Sequence, residues 1–135
     1  MRTARRLLSA IFRPQHYVSL ANSGIYPQWR EFFLNRYVRG LGHYPYVCPI
    51  RTPLGIIQLK TYQHEDCFTI QEVFGLQCYR ASGETVIVDF GANIGVSAAY
   101  FLARNRDSFV HCFEPLAANI ERLNDNLAGF PGGWN

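Results

Sequence analysis

Between Thr85 and Arg104 the hydrophobic pattern changes character twice. Val86, Ile87 and Val88 form an unbroken β-branched run that ends in Asp89. A short apolar run bounded by turn residues predicts a strand buried on both faces, as in a parallel sheet. Gly91-Ala92-Asn93-Ile94-Gly95 follows as a loop, and Val96 to Ala103 reads as a helix. The two glycines permit a tight turn and a close approach by a ligand. The helix start behind them offers backbone N–H groups without internal partners. Phe109 to Phe113 predicts a second short strand, ending in Glu114. Pro115 suits a first helical position, because its missing N–H costs nothing there. That helix is expected to run to about Leu127 and to stop at Gly129 as its C-terminal cap.

Upstream, Gln28 to Arg39 predicts a helix that Gly40-Leu41-Gly42 ends. Trp29, Phe32, Phe33 and Tyr37 share one face of it, while Arg30, Glu31 and Arg36 lie away. The aromatic stripe reads as core, or as a face packed on a sheet, ahead of a substrate groove. Tyr46 to Arg51 and Ile56 to Thr61 read as two strands around Thr52-Pro53-Leu54-Gly55, which fits a type I turn. Asp66 is expected to cap a helix starting near Cys67 or Phe68. Ile70, Val73 and Phe74 lie on one side of that helix, and Gly75 ends it. Ala81-Ser82-Gly83-Glu84 is a turn into the Val86 strand.

The two ends are less regular. Leu8, Ile11 and Phe12 fall at helical spacing among Arg2, Arg5, Arg6 and Arg13, which predicts a short basic amphipathic helix. Two turns bury too little area to hold a membrane alone. A lightly docked terminal helix is therefore expected, ahead of a membrane anchor or transit segment. Pro14 to Pro27 has a weak pattern, with a turn at Asn22-Ser23-Gly24. Phe130 to Asn135 reads as a connecting loop. Three segments result: 1–45 as a helical extension, 46–84 as hairpin and helix, and 85–135 as a strand–helix–strand–helix unit.

Composition narrows the function classes. A length of 135 residues suits one small domain. A net charge of +3 falls short of the concentrated basic face of a dedicated nucleic-acid binder. No apolar run is long enough to cross a bilayer, so no stable membrane insertion is expected. Cys48, Cys67, Cys78 and Cys112 form no CxxC pair and fit no common zinc spacing. They read as reduced thiols in a cytoplasmic setting, with Cys112 a small apolar group in a buried strand. No metal site is expected.

The candidate chemistry gathers at the two strand ends. Asp89 at the tip of the first strand faces a ligand crevice, where it can orient an ammonium group, partly through water; it also suits a cap on the loop and helix. Glu114 lies 19 residues beyond Gly95. An acidic residue at that distance, on the tip of the next strand, is placed to accept hydrogen bonds from both hydroxyls of a ribose. Its other reading is a helix-start acid favoured by the helix dipole. Asn93 tolerates a left-handed backbone, so it shapes the loop or touches the ligand. The dinucleotide pattern G-x-G-x-x-G finds only Gly91, Asn93 and Val96 in its register, which argues against NAD or FAD.

The motif Asp89-x-Gly91-Ala92-Asn93-x-Gly95, followed by Phe113-Glu114-Pro115, resembles the S-adenosylmethionine site of class I methyltransferases, and more closely that of the FkbM-type family. The resemblance covers roughly residues 47–130, the usual span of a nucleotide-binding half. It implies an α/β, Rossmann-like fold that is incomplete here. The family's seven-stranded sheet would be represented by its first two strands, so the chain is expected to be an N-terminal fragment. It implies S-adenosyl-L-methionine as cofactor, held by Asp89, Gly91, Ala92, Asn93, Gly95 and Glu114. It also implies O-methylation of a sugar or other small hydroxylated acceptor, a hairpin before the glycine loop, and a stretch like Asp66…Glu72…Tyr79 bordering the cofactor.

A hydroxyl acceptor would gain from a base. His16, His43, His64 and His111 offer no evident one, so the catalytic residue is left unassigned. The leading function is thus a methyltransferase. A non-catalytic module with a partial nucleotide loop is the alternative, and a small dinucleotide binder is disfavoured by Asn93. Acceptor and oligomeric state are not legible.

Overall fold

A computed structural model describes residues 24–37, 43–81 and 83–135 of the chain. The amphipathic pattern in residues 1–13 and the glycines at 40 and 42 lie outside them. The elements are α1 (Trp29–Tyr37), β1 (Tyr46–Thr52), β2 (Gly55–Thr61), α2 (His64–Ile70), a π-helical turn (Gln71–Gly75), β3 (Val86–Phe90), α3 (Val96–Leu102), β4 (Phe109–Phe113) and α4 (Ala117–Leu127). This is a mixed α/β arrangement with two small sheets. No helix among the described residues is long and apolar enough to cross a membrane.

The predicted hairpin forms. β1 and β2 pair antiparallel from Tyr46↔Thr61 to Thr52↔Gly55, with Pro53 and Leu54 at the tip. β3 and β4 pair parallel from Val86↔Phe109 to Phe90↔Phe113, and α3 makes the crossover. Residues 130–133 form the expected loop, and the last two residues add a short bridge to the sheet. After α4 the chain returns beside β4 and bridges it in parallel at Val110↔Trp134. Val110 N–H donates to Gly133 C=O, Asn135 N–H to Val110 C=O, and Cys112 N–H to Asn135 C=O. Three bonds from two residues, Gly133 and Asn135, are too short a run to show in a hydrophobic pattern.

The expected burial of β3 on both faces is not found. Ile87 and Asp89 are half-buried, but Val86, Val88 and Phe90 are 67%, 52% and 79% exposed. β3 has one strand neighbour, and the buried faces of α3 and α4 gather in one core with Ile87 and Val110, which leaves the alternate side chains bare. Phe90 stacks on Phe113 on this uncovered side, with ring centroids 5.0 Å apart. Cys112 is likewise half-buried instead of fully enclosed, and burial still pushes its thiol up to about 11. All four cysteines are free thiols, and burial raises those of Cys48 and Cys67 as well.

Three helix boundaries shift for local reasons. α2 begins at His64, not Cys67, because Asp66 sits in its first turn and bites back. Its Oδ2 accepts from Tyr62 N–H at 2.7 Å and Gln63 N–H at 3.1 Å, which satisfies donors at the helix start. Past Ile70 the helix widens into the π turn, where Leu76 N–H donates to Gln71 C=O at 2.9 Å. α4 starts two residues beyond Pro115, since Glu114 reaches forward to Leu116 N–H. It ends at Leu127, whose carbonyl accepts from Phe130 N–H and from the Trp134 indole; Gly129 does not take the left-handed cap conformation. On the aromatic stripe of α1, Phe32 is buried and stacks on Tyr26 at 4.3 Å, while Trp29 is 38% exposed. The stacking partner comes from the loop before α1, not from α1 itself.

One apolar cluster joins the parts. Cys48, Ile50 and Leu59 from the hairpin meet Ile70 and Phe74, then Ile94, Tyr100, Leu123 and Leu127. Phe74 and Tyr100 make an edge contact at 5.4 Å. Asn126 is buried on the face of α4 that holds Leu123 and Leu127. Its Oδ1 accepts from Lys60 N–H at 2.7 Å, and its Nδ2 donates to Lys60 C=O at 3.1 Å and Ile94 C=O at 2.9 Å. One carboxamide therefore ties β2, the glycine loop and α4 together.

Candidate functional site

The loop between β3 and α3 uses three left-handed residues in five positions: Gly91 (φ 78°), Asn93 (φ 49°) and Gly95 (φ 84°). Asn93 thus fills the loop-shaping role its residue type allows. The end of β4 grips this loop. Phe113 C=O accepts from Gly91 N–H at 2.7 Å and Ala92 N–H at 3.2 Å. Glu114 Oε2 accepts from Asn93 N–H at 2.9 Å. Ala92 and Ile94 point into the core, while Gly91 and Asn93 stay at the surface.

A pocket of about 160 Å³ opens on the outer side of the loop. Asp89, Gly91, Ala92, Asn93 and Ser97 form one side of it, and Thr69, Val73 and Tyr79 stand among its other lining residues. Four of the six candidate site residues therefore meet at one cavity. Gly95 lies beneath the loop against Leu123 and Leu127. Glu114 braces the loop from outside the lining. The stretch from Asp66 to Tyr79 borders the pocket through Thr69, Val73 and Tyr79; of the three residues singled out in it, Tyr79 reaches the pocket, while Asp66 is buried at the start of α2 and Glu72 is exposed.

Two pocket residues escape a reading of the sequence. Thr69 is hidden in an ordinary helix pattern. Ser97 looks like a small residue chosen for close packing, yet its hydroxyl donates to Asp89 Oδ2 at 2.5 Å. The available signal is its place in the first turn of α3, next to the loop that follows Asp89.

The electrostatics of the cavity are one-sided. The lining holds one carboxylate, that of Asp89, and no lysine, arginine or histidine. Burial raises the Tyr79 phenol, and the nearby Asp89 charge raises it further, so it stays protonated at neutral pH. Neither described histidine with a ring-nitrogen bond faces the cavity: His64 Nδ1 pairs with Asn35 C=O and His111 Nδ1 with Asn135 Oδ1.

Glu114 is held ionised below the usual carboxyl range, chiefly by Leu116 N–H, then by Asn93 N–H and the Asn119 amide. Oε1 takes two of these bonds and Oε2 one, which leaves Oε2 a free lone pair for a hydroxyl. The depressed folded-state pKa fixes the sign of its pH effect. Its contribution is complete above the unfolded-state value, about 4.3 for a free glutamate, and fades as the pH falls through the lower folded value. Urea midpoints of the parent and Glu114→Gln are expected to differ most at neutral pH and to converge in strong acid. A difference that persists unchanged in acid would mean that the charge is not what holds the loop.

No protein-family model, no curated protein and no solved structure matches this chain.

Proposed function

We propose that the chain carries the donor-binding elements of an S-adenosylmethionine-dependent methyltransferase of the FkbM type, on a Rossmann-like βαβ unit. The observation that carries this reading is the charge of the loop pocket. A site for the pyrophosphate of NAD or FAD wants donors and positive charge. This cavity presents a carboxylate with no cation to balance it, and a second carboxylate braces the same loop. Such a set of acceptors fits a ligand that bears an ammonium, a sulfonium and a ribose diol.

The residues present fit that group. Asp89 would accept from the ammonium, the free lone pair of Glu114 Oε2 from the ribose, and the loop glycines would let the ligand approach the backbone. The cofactor supplies an electrophilic methyl group, and the protein's part is mainly alignment. The reading further implies a small hydroxylated acceptor, such as a sugar, and a reducing, cytoplasmic compartment in which four free thiols persist. A non-catalytic module that keeps a partial nucleotide-binding loop is the second reading.

Calorimetric titration with S-adenosylhomocysteine, alongside NAD, tests the proposal, with circular dichroism to check folding. Saturable binding of the first and none of the second is expected. Asp89→Ala and Glu114→Ala should each weaken binding, by roughly tenfold for loss of one charge-assisted hydrogen bond. Tighter binding of NAD, or unchanged affinity in both variants, would sink the assignment.

A further inference from the structure

Asp89 is the only charged group of the pocket, and only one of its oxygens is engaged. Oδ2 accepts the Ser97 hydroxyl proton at 2.5 Å, and an ionised acceptor strengthens such a bond. Oδ1 has no hydrogen-bond partner among the described residues. Ser97 itself lines the same cavity, so strand end and helix start meet at the ligand's side and not behind it. A carboxylate without such a brace rotates about its terminal bond and must be ordered when a ligand binds. The hydroxyl orders it beforehand.

We propose that Ser97 is a positioning residue that holds Asp89 so that Oδ1 accepts from a ligand ammonium, making the pocket selective for adenosyl ligands with an intact amino-acid end. The inference rests on the donor-binding reading above and adds to it the part of the ligand that is read. A purely structural tie between β3 and α3 is the competing account. It predicts that loss of the hydroxyl lowers stability and weakens all ligands alike.

Two ligands separate these accounts. S-adenosylhomocysteine carries the ammonium, and 5′-methylthioadenosine lacks the whole amino-acid end. Both are titrated calorimetrically against the 135-residue chain as parent, Ser97→Ala and Ser97→Thr, with thermal melts of each. Alanine is the best helix former, and the site is half-exposed, so Ser97→Ala is expected to fold. It should bind S-adenosylhomocysteine about tenfold more weakly, as befits one ordered charge-assisted bond, while 5′-methylthioadenosine affinity stays within about twofold. Ser97→Thr, which keeps the hydroxyl, should restore the preference. Equal losses for both ligands, or no loss in Ser97→Ala while the parent binds, overturn the role of Ser97 and leave the donor-binding reading standing. Failure of the folded parent to bind either ligand overturns that reading, and the role of Ser97 with it.

Discussion

Asn126→Ala is expected to lower the free energy of unfolding by about 3 kcal/mol, because it strands buried backbone groups on two elements at once. The carboxamide satisfies Lys60 N–H, Lys60 C=O and Ile94 C=O, and the residue is 5% exposed. Alanine removes every partner and opens a small void beside Leu123 and Leu127. Asn126→Asp sharpens the test. It keeps an acceptor for Lys60 N–H but sets a second acceptor against two carbonyl oxygens. It should cost at least as much as alanine at neutral pH, although its shape is nearly unchanged. Urea unfolding followed by far-UV circular dichroism measures both. A loss under about 0.5 kcal/mol in Asn126→Ala, the range of a neutral surface change, would mean that water replaces the side chain readily.

Gly95→Ala should be the second large effect, at about 2–3 kcal/mol, as the sum of a left-handed backbone and a tight contact. The backbone stands at φ 84°, and an added Cβ would lie 3.2 Å from Leu127 Cγ and 3.4 Å from Leu123 Cγ. Gly91 provides the control. Its φ of 78° is nearly the same, but a Cβ there meets nothing within 4 Å. Gly91→Ala is therefore expected to lose only the backbone part, about 1–2 kcal/mol. The difference between the two variants isolates the packing of the loop on α4. Equal losses would show that the leucines yield without cost.

The parts that the sequence made legible are those where one residue type has one physical use. Left-handed turns favour Gly and Asn, so the loop at 91–95 could be placed from Gly91, Asn93 and Gly95. The hairpin at Pro53-Leu54 and the strand starts at Val86 and Phe109 were legible for similar reasons. Other features depend on what lies across space. The run Val86-Ile87-Val88 signals burial but does not say which faces have neighbours, and one face has none. Asp66 serves equally as a cap or as a first-turn acid, and only the fold shows it reaching back to Tyr62 and Gln63. Glu114 stood at the right distance from the loop. Its engagement with Asn93 N–H, however, joins residues that are 21 apart in sequence, and no local pattern encodes that. Ser97 reads as a packing residue, and nothing local marks Asn126, because their partners lie elsewhere in the fold.

The uncovered side of the parallel pair sets the terms on which the molecule lives in water. Val86, Val88, Phe90 and Phe113 are each more than half exposed on strands whose outer backbone edge, at β3, has no partner among the described residues. Natural sheets blunt such an edge with lysine, proline or a bulge, and β3 has only Asp89 to do so. A short, apolar, nearly uncharged edge strand is a template for pairing with other chains. Association through such an edge would compete with folding as the concentration rises. Dilution would then be a thermodynamic variable of this protein, on a par with temperature and pH.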